Sequence, residues 1–186
     1  MYHPANAEAW KIFDQTYPEF ASEPRNVRLG LATDGFAPFS LSAAQYTCWP
    51  VVCYPLNLPP NAVMKRQNMF LTLVIPGPEH PGRDIDVFLQ PLIDELEILW
   101  SMGIETYDVS LKQNFNMKAA LAYTVNDFPA YSVLSGWGTS GAMSCPCCMD
   151  KTKAFWLEMV INSSGSTVTG SSCRNTIGFE LTRNHS

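Results

Sequence analysis

Histidine is scarce in this chain: His3, His80 and His185 are the only three in 186 residues, too few to complete a histidine-rich metal site. Basic residues are also in deficit, 12 Lys and Arg against 17 Asp and Glu, which gives a net charge of −5. No Lys/Arg-rich run stands out, so there is no basic footprint for nucleic acid or an anionic membrane, which counts against an autonomous DNA-binding module. No apolar run is long enough to span a bilayer. Nor does a charged segment followed by an apolar one open the chain, so an intracellular, reducing setting is expected. In that setting six cysteines are read as metal ligands or buried thiols rather than cystines. What the chain does have is 46% hydrophobic residues with 16% charged, enough to build a core in one domain.

Ala9, Ile12 and Phe13 fall at helical spacing before two breakers, Pro18 and Pro24. In "NVRLGLATDGFAPF", Val27, Leu29 and Leu31 alternate as one face of a strand, and Asp34-Gly35 reads as a turn that leaves Asp34 at the strand end. "QYTCWPVVCYPLNLPP" and "NMFLTLVIPGP" read as two further strands, the first interrupted at Pro50, and together the three suggest an antiparallel meander. The segment "IDVFLQPLIDELEILWSMG" predicts a long helix with Phe88, Leu92, Leu96 and Leu99 on one face, Pro91 near its start and Gly103 as its cap. "IETYDVSL" is a strand closed by Asp108, and "FNMKAALAYTVNDF" is ambiguous between helix and strand, with a strand-like end before Asp127.

This order fits an α/β layer in which helices cover a mixed sheet. Carboxylates at the ends of neighbouring strands converge on the side where ligands of α/β folds sit, and a pair such as Asp34 and Asp127 suits divalent metal chemistry on a phosphodiester. From spacing alone the plainer reading of both residues is turn capping, because Asp-Gly and Asn-Asp are ordinary turn pairs. Farther on, Cys145, Cys147 and Cys148 crowd into four positions. Cys48 and Cys53 flank a proline-containing strand and are read as core packing.

The ordered series "HPANAEAW", "FASEPRNVRLGLATDGFAPF", "WPVVCYPLNLPP", "LVIPGPEHPGRDIDVFLQPLIDELEILW", "GIETYDVSLKQNFNMKAAL" and "NDFPAYSVLSGWGTSGAMSCPCCMD" resembles the plant CACTA-type (En/Spm) transposase family, from Tyr2 to about Leu157. The resemblance implies a ribonuclease H-like core, here incomplete, with an Asp, Asp, Glu/Asp triad that holds Mg or Mn to cut and join transposon ends. Carried onto this chain, the DGF motif makes Asp34 the first catalytic carboxylate and Asp127 the second, with Asp108 as the rival for second place. The family's CPxC corresponds to Cys145 and Cys148, a spacing that grips one zinc ion from a tight turn, with Cys147 a bystander. The two histidines expected to complete that structural zinc site belong to a segment of the kind WFDCHRxFLPxxH, which this chain lacks, so zinc binding here is expected to be weak or lost.

After about Leu157 the composition shifts to Ser, Thr, Asn and Gly. That is the composition of a disordered terminus. Permitted codons for Ser163 to Gly170 nevertheless contain QWFDCHR when read in a shifted frame. The expectation is therefore a partial catalytic core over residues 1–157 and an out-of-frame or disordered tail over 158–186. Met1 directly precedes "YHP", as if translation began inside a longer frame. The leading reading is a transposase fragment, inactive alone for want of the third carboxylate, with transposon-end DNA as the partner of the intact parent, nuclear residence by resemblance and no membrane role. An incomplete sheet would leave an exposed edge prone to self-association or aggregation. Two other readings stand beside it, a domesticated protein- or DNA-binding module and an active metal-dependent nuclease.

Overall fold

Leu29 and Leu31 are buried on one side of the first strand while Arg28 and Gly30 are buried on the other, so that strand is covered on both faces. A strand of that kind sits inside a sheet rather than at its rim. The computed structural model describes residues 3–39 and 46–138. Its elements in chain order are α1 (Glu8–Thr16), α2 (Pro18–Ala21), β1 (Val27–Thr33), β2 (Trp49–Pro55), α3 (Pro60–Val63), β3 (Phe70–Ile75), α4 (Ile85–Ser101), β4 (Ile104–Asp108), β5 (Gln113–Met117), β6 (Ala119–Val125) and α5 (Phe128–Ser135), with short 3-10 turns at Pro4–Asn6, Arg66–Asn68 and Gly82–Asp84. The chain divides into two compact units, 1–130 and 131–186. In the second, the described residues are the end of α5 and Gly136 to Gly138, with the Ser135 hydroxyl donating to the Tyr131 carbonyl at 2.7 Å.

Within the first unit the main sheet runs β3-β2-β1-β6. β1 and β2 pair antiparallel, as do β2 and β3, which is the expected meander. β6 then joins β1 in parallel, and parallel neighbours need a long crossover. The crossover includes α4, whose Leu89 and Leu92 pack on Leu31, Val51 and Cys53. On the opposite face Tyr54, Leu56 and Val63 form a second core with Trp10, Leu58 and Met69. Gly30 is required there, since a Cβ at that position would lie 2.5 Å from the Tyr54 ring. The architecture is thus a four-stranded mixed sheet flanked by helices, as an α/β layer.

β4 and β5 form a separate antiparallel hairpin, with Ile104 opposite Met117 and Asp108 opposite Gln113. The ambiguous "FNMKAALAYTVNDF" segment is therefore strand almost throughout, ending β5 and supplying β6. Several expectations require correction. Asp34-Gly35 is not a tight hairpin turn: the chain continues extended to Phe36, which exchanges backbone hydrogen bonds with Cys48 at 2.9 and 3.0 Å. Pro50 does not interrupt β2 but lies within it, second from its start. Pro91 is the seventh residue of α4, where its missing N–H leaves the Val87 carbonyl without the usual intrahelical donor. The inward stripe of α4 uses Ile85 and Leu89 with Leu92, Leu96 and Leu99, while Phe88 is 39% exposed because it lies on the stripe's flank. In α1 the inward residues are Trp10 and Phe13, and Ile12 faces out. Pro18 starts α2 rather than merely ending α1.

Gly103 does cap α4. Its φ of +72° suits glycine, and its amide and that of Met102 both reach the Ile98 carbonyl, at 3.0 and 2.9 Å. Cys53 is buried in the core as a free thiol, and burial pushes its pKa up. Cys48 is half-buried and free, its thiol 3.7 Å from the Phe36 carbonyl.

Candidate metal centre

The position of Asp34 follows from the register of β1. Thr33 lies opposite Val51 and Phe36 opposite Cys48, so Pro50 stands opposite Asp34. Pro50 has no amide hydrogen to close that rung, and the ladder opens where the aspartate emerges. Beneath the next residue lies the buried indole of Trp49: a Cβ on Gly35 would come within 2.8 Å of it. A glycine after Asp34 is therefore what allows the strand to continue over this ring.

Asp127 is placed by β6. Ala32 pairs with Val125 in the parallel ladder, and two further residues on each strand lead to Asp34 and Asp127 at the same level. This alignment is held at both ends. At the start, the buried Asn26 accepts from the Lys118 amide at 2.7 Å and donates to the Phe20 carbonyl at 2.9 Å. At the far end the Asn126 side chain meets the backbone of Thr33. Parallel strands thus bring both aspartates to one end of the sheet.

Both aspartates are exposed, and among the described residues neither pairs with a Lys or Arg. Asp127 also caps α5, with one carboxylate oxygen accepting from the Ala130 amide at 2.8 Å. That is the plain turn-capping role, and it occupies one of two oxygens. Two exposed carboxylates without a cationic neighbour are hard oxygen donors of the sort Mg2+ and Mn2+ accept. Among the described residues, no group of three His, Cys, Asp or Glu gathers to hold a metal ion.

Asp108 lies elsewhere, at the end of β4 in the hairpin. Its Oδ1 accepts from the Ser110 hydroxyl at 2.6 Å, the Ser110 amide at 2.9 Å and the Leu111 amide at 3.1 Å, while Oδ2 accepts from Arg25 Nη1 at 3.1 Å. The Ser110 hydroxyl, the Leu111 amide and Arg25 draw its pKa down to about 2. Arg25 also binds Glu23 through Nη2 at 2.6 Å and lies 3.8 Å from the centre of the Phe115 ring. These contacts tie Asp108 to its turn and to Arg25, a structural role well met by one carboxylate.

His3 and His80 each turn Nδ1 toward a nearby backbone amide, of Ala5 at 3.0 Å and Gly82 at 2.9 Å. Cys145, Cys147, Cys148 and His185 lie outside the described residues. Sequence reasoning did not single out Asn26, Pro50 or Asn126 as supports of the site. Only Asn126 carried a signal, by directly preceding Asp127, whereas the other two act across the sheet.

No helix among the described residues is long and apolar enough to cross a membrane. No curated protein and no solved structure matches the chain. The family model of transposase family tnp2, however, matches residues 1–166, most of its length. Membership of such a family implies a DNA partner and an origin in a transposable element. On that match the chain, with its paired strand-end aspartates, belongs to the transposase family tnp2.

Proposed function

We propose that residues 1–157 are the first part of the catalytic core of a plant CACTA-type (En/Spm) transposase, with a ribonuclease H-like plan in which Asp34 and Asp127 hold Mg or Mn. The parallel register that levels Asp34 with Asp127 is the observation that carries this reading. When bound there, the metal supplies Lewis-acid activation of a water or hydroxyl nucleophile and stabilises the leaving oxygen of a phosphodiester. The chain's own part is positional. Asn26 and Asn126 hold β6 against β1, and Gly35 over Trp49 sets the path after Asp34. Asp127 keeps one oxygen on the α5 amide, which orients the other.

The third carboxylate of such a triad is not supplied by any described cluster, and this chain alone is inactive in the proposal. Cys145 and Cys148 are half of a structural zinc site whose histidines lie in another reading frame, which begins near Glu158 and makes 158–186 a tail without selected function. The intact parent works on transposon-end DNA in the nucleus. Genomic DNA tests the tail: a shifted frame that meets stops or lacks WFDCHR ends that part. A Mg2+- or Mn2+-dependent cleavage assay on an intact relative tests the site, where the counterpart of Asp34→Asn or Asp127→Ala abolishes cutting. Full activity after the change at Asp127 discards its assignment. Cleavage by this chain itself favours the self-sufficient nuclease instead.

A further inference from the structure

A cavity of about 810 Å3 opens between the N-terminal segment with α1 and the face of β1 and β6 that α4 does not cover. Three basic side chains, His3, Lys11 and Arg28, line it together with Trp10 and Tyr123, and no Asp or Glu does. Arg28 is only 5% exposed. Its Cζ lies 4.3 Å from the centre of the Trp10 ring, one terminal nitrogen bonds Asp14, and its Nε has no partner among the described residues. A buried donor left unmet is unfavourable until an acceptor enters beside it. Because the His3 Nδ1 accepts from the Ala5 amide, the neutral ring carries its proton on Nε2, a donor. Lys11 has only a 4.0 Å contact with Glu8 to neutralise it.

The aromatic wall is equally specific. Where β6 runs beside Leu29 and Gly30 its register shifts, which makes Ala122 the unmatched residue of a bulge and re-aims Tyr123. The Tyr123 ring is 44% exposed. An exposed ring beside basic donors suits a ligand that combines a flat aromatic system with an anion. Gly30, the partner of Tyr123 in the ladder, precedes Asp34 by four residues, about 13 Å along the strand.

We propose that this cavity binds a nucleotide, with its base stacked on Tyr123 and its phosphate met by Lys11, His3 and Arg28, supplied as a free nucleoside monophosphate or as one unit of an unpaired DNA strand. The strand form rests on the nucleic-acid reading above; the free form does not. The experiment uses the full chain in EDTA, so that metal binding at Asp34 has no part in it. Fluorescence anisotropy follows a labelled oligothymidylate, with thymidine monophosphate as competitor. The intact chain binds; Lys11→Glu and Tyr123→Ala each weaken binding at least about fivefold, and Ala122→Trp blocks it by filling the cavity. Lys65→Glu, on the exposed segment after α3, leaves binding unchanged. Competition by the monophosphate assigns the free form, and its absence the strand form. Failure of both probes to bind, or equal losses with Lys65→Glu and Lys11→Glu in chains whose urea midpoints match, overturns the proposal whatever becomes of the metal reading.

Discussion

Asp127 and Asp108 each close a strand in similar local sequence, yet they stand in different electrostatic surroundings. Asp127 lies two residues past the end of β6, beside the parallel strand that delivers Asp34, and no cation pairs with it among the described residues. Asp108 ends a strand of the outlying hairpin, where Arg25 and the Ser110–Leu111 turn use both its oxygens. A carboxylate whose lone pairs are already met has little to offer a metal ion, whereas one next to a second unpaired carboxylate is relieved by a cation. The neighbouring strand, more than the aspartate itself, separates a candidate ligand from a structural acid.

The sharpest way to break this contrast is to neutralise each aspartate in turn and measure Mn2+ binding by electron paramagnetic resonance. Asp34→Asn and Asp127→Asn should each weaken binding by about a hundredfold or more, since removal of a mere supporting partner already costs about 10–100-fold. Asp108→Asn should leave it unchanged. Equal losses at Asp108 and Asp127 would erase the distinction.

The next largest effect falls on the frame that aligns the pair. Asn26→Ala leaves the half-buried Lys118 amide without its acceptor and should destabilise the fold by about 1 kcal/mol, read as a lower urea midpoint. It should weaken Mn2+ binding too, although it lies at the far end of β1. A smaller effect divides the two roles of Asp127. Asp127→Ala should lose about 1 kcal/mol of stability with its helix cap, while Asp127→Asn keeps the cap and loses only the metal. A like loss from both would show that the charge, and not the hydrogen bond, supports α5.

The smallest effect concerns pH. The Asp108 pKa is lowered in the folded chain from 3.8 to about 2, so its stabilising contribution is complete above the unfolded value and fades as pH falls from about 4 toward 2. Asp108→Asn should flatten that part of the profile of unfolding midpoint against pH. A profile as steep in the variant as in the parent would assign the acid sensitivity to other carboxylates, with Glu23, also drawn down to about 2 by Arg25, the first to examine.

Much of the fold was legible because local patterns and their burial coincide. The alternation in "NVRLGL" and the helical run in "IDVFLQPLIDELEILW" survive in β1 and α4, and Gly103 caps where a positive φ is needed. Finer assignments failed where a neighbour shifted the facing. Leu89, rather than Phe88, completes the stripe of α4 because Leu31, Val51 and Cys53 lie on that side. Pro91 was misplaced because it is the seventh residue of a helix that starts at Ile85, beyond the first turn in which a missing amide hydrogen costs nothing. The Asp34-Gly35 pair looked like a turn because those residues favour turns, but pairing of Phe36 with Cys48 keeps the chain extended.

The chain's residues alone carried the α/β class, the transposase kinship and Asp34 and Asp127 as candidates, because those rest on periodicity and on motifs contiguous in sequence. Which aspartates share a sheet end was settled by folding. Val125 meets Ala32 across 93 positions of chain, and the Asn26 and Asn126 side chains that hold this register act on partners as remote. Hydrogen bonds between parallel strands are made only after a long crossover has closed, so no local stretch of sequence records them.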